Sequence, residues 1–124
     1  MANVLIAASG RDFSEGWPDL LSEQGHRVQE VRTNHEVLTS LDSHPDVILC
    51  EWRPASGLDC VQLAKAIKTD PLYQNHCLIP VIGFGMQNRV LTGENELFLR
   101  YYLQTPAAPY RLTEYLDRVL QETT

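Results

Sequence analysis

Glu51 is the residue of this chain whose setting most invites chemistry. Four consecutive apolar residues, Val47 to Cys50, lead into it, and Trp52, Arg53 and Pro54 follow it. Such a run reads as a strand buried on both faces. In parallel sheets, ligands and reacting groups gather outside the carboxyl ends of the strands. A carboxylate there can hold a metal, move a proton or accept a transferred group; it can equally be a solvated side chain or one paired with Arg53. A second candidate is the stretch Ser9-Gly10-Arg11-Asp12-Phe13-Ser14, which follows the first apolar run. A Gly-containing, hydroxyl-bearing turn at a helix start can cradle phosphate, but Asp12 and Glu15 would repel it. Asp59 and Asp12 are further carboxylates. Asp59 is better explained as a helix cap, and Asp12 as a first-turn residue favoured by the helix dipole.

Metal and redox chemistry find less support. The three cysteines, Cys50, Cys60 and Cys77, follow no CxxC-type spacing, so the pattern suggests neither a zinc site nor a disulfide framework. Each is expected to serve as a small buried hydrophobe. His26, His35, His44 and His76 are dispersed, each beside a turn signal, which suits surface or capping roles better than metal ligation. No metal is expected.

The elements that must position Glu51 follow from periodicity and punctuation. Asn3 to Ala8 reads as a first buried strand ended by Ser9-Gly10. Phe13, Trp17, Leu20 and Leu21 share one face of a first helix, with Ser14 as its cap, Pro18 in its first turn and Gly25 as its stop. His26 to Arg32 reads as a second strand nearer the edge. Thr33 or Asn34 then caps a short helix around Val37, Leu38 and Leu41, closed by Ser43-His44-Pro45. After the third strand and a loop, Asp59 caps a helix with Cys60, Leu63, Ala64 and Ile67 on one face, ended at Asp70-Pro71. Leu78 to Phe84 gives a fourth strand with Pro80 near its start. Gly93 interrupts the next segment, Gly85 to Glu96, so a short or irregular fourth helix is expected there. The last strand centres on Tyr101 to Leu103, and Leu112, Tyr115, Leu116, Val119 and Leu120 mark an amphipathic terminal helix.

Strands alternating with helices five times over predict an α/β fold: a doubly wound, five-stranded parallel sheet of flavodoxin-like order 2-1-3-4-5. At 124 residues, 44% hydrophobic and 21% charged, the chain is expected to form one domain, 1–124, without disulfides or metals. Its formal net charge of -6, with scattered basic residues, argues against a direct nucleic-acid or anionic-membrane footprint. No signal segment is seen, nor any apolar run near the ~18 residues a membrane span needs. The expectation is a cytoplasmic protein.

The chain resembles the receiver domain of bacterial two-component response regulators along essentially its whole length. Leu20-Leu-Ser-Glu-Gln-Gly-His-Arg-Val28, Pro45-Asp-Val-Ile-Leu-Cys-Glu51, Pro54 to Gly57 with Leu58-Asp59, and Tyr102-Leu-Gln-Thr-Pro106 carry the resemblance. Each is a weak pattern, but they occur in the family's order and spacing. The resemblance implies an acidic pair and an acceptor aspartate around magnesium, a Ser or Thr after the fourth strand, and a Lys before the last helix. Carried over position by position, the pair falls on Ala8 and Ser9, the acceptor on Glu51, the hydroxyl residue on Gly85 within a residue, and the Lys on Thr105. All five are replaced. The chain therefore resembles the atypical or pseudo-receivers that act without phosphorylation. It is not expected to be an enzyme.

By the same resemblance Tyr102 falls on an aromatic switch position, and the helix 4–strand 5–helix 5 face is a place for protein contact or homodimerisation. Arg100, Tyr101, Tyr102 and Arg111 belong to or border that face, and Tyr and Arg are typical interface anchors. Trp52, beside the degenerate site, is either a partner anchor or a lid on the strand ends. Protein partners and no cofactor are expected. Three alternatives stay open: Glu51 as a mimic of the phosphorylated acceptor, a working receiver with Asp59 or Asp12 as acceptor, and a flavodoxin-like carrier of flavin or nucleotide. A cobalamin carrier is disfavoured by the lack of an Asp-x-His-x-x-Gly motif.

Overall fold

The computed structural model describes residues 2–10, 16–86 and 93–123. Five parallel strands, β1 (Asn3–Ala7), β2 (Arg27–Val31), β3 (Val47–Glu51), β4 (Val81–Gly85) and β5 (Tyr101–Gln104), form one sheet in the order β2-β1-β3-β4-β5. This is the doubly wound arrangement that the alternation of strands and helices predicts. Helices α1 (Trp17–Glu23) and α4 (Pro109–Thr123) cover one face, with α2 (Asn34–Thr39) and α3 (Cys60–Thr69) on the other. Every residue of β3 is buried, whereas the edge strands β2 and β5 each bury a single residue, Val31 and Leu103.

Side chains alternate across the sheet, so β3 sends Val47 and Leu49 into the core beneath α1 and α4. Ile48 and Cys50 go into the core beneath α2 and α3. On the first side Trp17 packs against Phe84 with ring centroids 4.7 Å apart. On the second, Gly83 leaves room for its neighbours. A β-carbon there would stand 2.7 Å from Cys60 Sγ and 3.0 Å from both Leu99 and Tyr102.

Local signals explain most boundaries. Thr33 accepts a hydrogen bond from the Glu36 N–H at 3.2 Å, and Asp59 accepts from the N–H groups of Val61 and Gln62 at 3.1 and 3.0 Å. Each satisfies donors left open by a helix start. Gly25, at φ +90°, provides the turn out of α1.

Several expectations are corrected. The N-cap of α1 is Gly16, which makes no side-chain cap bond; Ser14, the expected cap, and Asp12 and Phe13 with it lie outside the described residues. β4 begins at Val81 and not at Leu78, which is 89% exposed. Pro80 has no N–H for the ladder, and a turn closed by Ile79 N–H to His76 O precedes it. β1 stops at Ala7, one residue early, and β5 runs one residue further than its expected core, to Gln104. Between β4 and β5 the described part of the irregular segment is a 3-10 stretch, Gly93–Leu97; residues 87–92 lie outside the described residues. The terminal helix, fifth in the expected series, is therefore α4 here.

Candidate functional site

The parallel sheet brings the ends of β1, β3, β4 and β5 together at its carboxyl edge, and Glu51 lies at the centre of that edge. The fully buried strand preceding it draws Glu51 in as well, to 2% exposure. A charge held there must be paired and hydrogen-bonded. Glu51 Oε2 accepts from Arg53 Nε at 2.7 Å, and Oε1 accepts from the Ser9 N–H at 2.8 Å. Of the two expectations for this carboxylate, pairing with Arg53 is what the structure has; a solvated Glu51 is corrected by its burial.

The loop after β3 fixes the arginine. Arg53 and Leu58 form a two-residue antiparallel bridge, with Arg53 N–H to Leu58 O at 2.7 Å and Leu58 N–H to Arg53 O at 3.2 Å. The tight turn between them ends at Gly57, whose φ of +76° suits glycine. Asn34 ties this loop to α2, its side chain donating to Asp59 O at 2.9 Å and accepting from Asp59 N–H at 3.1 Å. Asp59 is thus engaged as cap of α3 and held through its main chain.

The first strand supplies no carboxylate. Ala8 is half-buried against the core, and Ser9 contributes its main chain: the N–H to Glu51 and the carbonyl to Arg32 Nη1 at 2.6 Å. That guanidinium passes over Gly10, where a β-carbon would stand 2.5 Å from it and φ is +74°. Ser9 is followed by residues 11–15, which lie outside the described residues, so the Ser9 to Ser14 phosphate-loop expectation is only partly described.

Gly85 and Tyr102 occupy one space. A β-carbon on Gly85 would meet Tyr102 Oη at 2.9 Å and Trp52 Cβ at 3.2 Å. The tyrosine ring lies over the α3 side of the sheet, its hydroxyl buried and without a hydrogen-bond partner among the described residues. Burial, and next the neighbouring Cys60 thiol, push the Tyr102 hydroxyl pKa well up. Tyr102 therefore covers the core, and its hydroxyl is not in water. Thr105 is 3% exposed, donates its N–H to Gly85 O at 2.8 Å and precedes a cis Thr105-Pro106 bond. Its hydroxyl and that of Ser9 are likewise buried without partners.

The expected interface residues are not gathered into one cluster. Tyr101 packs on the α4 side and donates its hydroxyl to Glu122 Oε2 at 3.1 Å, while Tyr102 faces the opposite side of β5. The Tyr102 N–H, on the open side of this edge strand, donates to Tyr115 Oη at 3.1 Å. Arg100 and Arg111 are exposed, and Trp52 is half-buried against the α3-side core. The sequence reading missed three parts of this edge: the Ser9 main chain as a ligand of Glu51, Arg32 over Gly10, and the fit of Tyr102 into the space at Gly85. Only the last left a signal, a large side chain and a glycine on adjacent strands.

The family's magnesium does not fit this donor set. Magnesium needs octahedral oxygen coordination, whereas among the described residues the carboxylate at the centre of this edge has one oxygen on a main-chain N–H and the other on a guanidinium, with Ala8 and Ser9 beside it. Among the described residues no three His, Cys, Asp or Glu side chains converge as a metal site. No described helix is long and apolar enough to cross a membrane.

No family model matches the chain, and no curated protein matches it. Solved structures do. A two-component response regulator from Clostridium difficile superposes with a TM-score of 0.79 at 21% identity, covering 98% of this chain and 97% of that one. The chemotaxis response regulator CheY4 of Vibrio cholerae gives 0.78 at 20% identity, covering 96% and 98%. NtrX from Brucella abortus gives 0.78 at 18% identity over 98% of this chain, which spans only 26% of NtrX. At these identities the likeness is one of fold, and the fold is that of response-regulator receivers.

Proposed function

We propose that the chain is a receiver-like signalling module, a single domain over 1–124, that acts by protein–protein contact without being phosphorylated. The observation that supports this most is the closed state of Glu51, whose two oxygens are already taken by Ser9 N–H and Arg53. An acceptor carboxylate must offer a free oxygen to a phosphoryl donor in line, and misplacement of even an ångström is costly in such chemistry. With Thr105 in place of a lysine, no ammonium group from the β5–α4 connection faces the site either.

In this reading Glu51 and Arg53 form a built-in ion pair. The carboxylate carries one negative charge, against ~1.5 to 2 for a phosphoryl group, and the arginine of the same loop neutralises it. Tyr102, seated in the space at Gly85, holds the aromatic position in one orientation. The partner surface is the exposed border of β5 and α4, with Arg100, Arg111 and the 67% exposed Tyr110. The partner is a signalling protein, an output domain or a second copy.

The test is a two-dimensional amide NMR titration with magnesium and then acetyl phosphate, followed by intact mass. Amides of Ala8, Glu51 and Gly85 are expected to stay in place, with no phosphate adduct. Saturable shifts there, or an added phosphate mass, would identify a working phosphoacceptor site and overturn the reading.

A further inference from the structure

The amino end of the sheet, opposite Glu51, contains a cavity of about 600 Å3. It opens where the chain enters β1, β3 and β4 and is closed on one side by the last turns of α4. Its size lies within the ~300–1,000 Å3 of small-molecule sites. The surface inside is largely aliphatic, from Ala2, Pro45, Ile79, Pro80 and Leu120, and Leu78 stands at the mouth with 89% of its surface in solvent. An exposed leucine beside an apolar cavity has an unfavourable contact with water that a ligand's apolar body would remove.

The charged groups on the wall are of one sign, beside the neutral polar side chains of Asn75, Gln121 and Thr123. Asp46 and Asp117 line the cavity, and no Lys or Arg does. Asp46 Oδ2 accepts from the Asn3 N–H at 2.8 Å, leaving its other oxygen. Asp117 has no hydrogen-bond or ion-pair partner among the described residues. Two histidines also line the wall. His26 Nδ1 accepts from the Ala2 N–H at 3.1 Å. The His76 ring stacks on His44 at 5.7 Å and lies 3.5 Å from Asp42.

We propose that this cavity binds a small organic ammonium ion with an apolar body, the ammonium group on Asp117 and the body against Ile79, Pro80, Leu120 and Leu78. Charge complementarity selects the cation: two carboxylates, with no Lys or Arg among the described lining residues, repel anions and reward an ammonium donor with a charge-assisted hydrogen bond. The net charge of -6 adds attraction at longer range. The aliphatic wall selects against inorganic cations, which would have to shed water without enough oxygen ligands to replace it.

The experiment uses the whole chain, labelled with nitrogen-15 at neutral pH, and three probes of similar shape: phenethylammonium, phenethyl alcohol and phenylacetate. Saturable amide shifts confined to His26, Ile79, Asp117 and Leu120 are expected with phenethylammonium. Its affinity should exceed that of the alcohol about tenfold, the worth of a charge-assisted over a neutral hydrogen bond, and phenylacetate should not bind. Asp117→Asn should remove most of the ammonium's advantage and leave the alcohol unchanged, a difference that loss of fold would not produce. Leu120→Gln should weaken both. Linear, non-saturating shifts up to millimolar probe, equal affinity for the cation and the alcohol, or an Asp117→Asn variant that binds like the parent would each overturn the proposal.

Discussion

The two ends of this sheet treat carboxylates in opposite ways. At the carboxyl end Glu51 is 2% exposed and both its oxygens are taken by groups of the chain itself. At the amino end Asp117 lines an open cavity and has no partner among the described residues. A buried charge must be satisfied internally or it destabilises the fold by several kcal/mol. An exposed one is solvated and can exchange water for a ligand. At the end where a receiver fold ordinarily does its chemistry the carboxylate is thus satisfied by the chain itself, and at the end with no such role a carboxylate is left open.

The largest effect expected from breaking this contrast is at Arg53. Arg53→Ala leaves Glu51 buried with a single hydrogen bond. It should cost about 2–3 kcal/mol, reduced from the fully buried case because Arg53 is 36% exposed. Urea unfolding measures it, and an Arg53→Met, Glu51→Met double replacement should recover most of the loss. A double replacement as unstable as Arg53→Ala would mean that the pair does more than neutralise itself.

Gly85 comes next. Gly85→Thr puts side-chain atoms where Tyr102 Oη and Trp52 Cβ lie, and overpacking of this kind costs about 1–3 kcal/mol. Tyr102→Phe removes the buried, unpartnered hydroxyl and should be neutral or stabilising by up to about 1 kcal/mol. It should also relieve part of the Gly85→Thr penalty. A double-mutant cycle with zero coupling would show that the two residues do not share that space.

At the open end, Asp117→Asn should change stability by no more than about 0.5 kcal/mol, as expected of a solvated surface carboxylate. A larger loss would place Asp117 among the structural charges and narrow the contrast between the two ends.

The effect that vanishes near neutral pH concerns the thiols. Burial, followed by the Asp59 charge, pushes Cys60 up to about 12, and burial raises Cys50 as well. Both stay protonated in the folded chain while the unfolded chain ionises them from its ordinary pKa near 9 upward. The contribution of Cys60 to stability is therefore fully present below that value and is lost as pH rises toward about 12, and the contribution of Cys50 is lost in the same direction. Below pH 9, Ellman's reagent should modify the half-buried Cys77 first and reach Cys50 and Cys60 only on unfolding.

Most of the fold was legible in the sequence because it is written in local terms. Apolar runs such as Val47 to Cys50, caps such as Thr33 and Asp59, and the left-handed Gly25 each act over a few residues. Five alternations of strand and helix then leave few topologies. The errors fell at boundaries, as at Leu78, where an apolar residue looks like strand until Pro80 and the preceding turn are set in place.

The site divides along the same line. Residue types alone put a carboxylate at the end of β3, with Ala8, Ser9, Gly85 and Thr105 at or just past the ends of the neighbouring strands. Only the tertiary structure decided that Glu51 is buried, that the Ser9 main chain and Arg53 hold its two oxygens, and that Tyr102 turns its hydroxyl into the space beside Gly85. It alone also brought Ala2, His26, Asp46, Ile79 and Asp117 around one cavity. The physical reason is range. Periodicity and capping are interactions among near neighbours in the chain, whereas burial, close approach and the walls of a cavity are set by residues far apart in sequence that meet only after the sheet has formed.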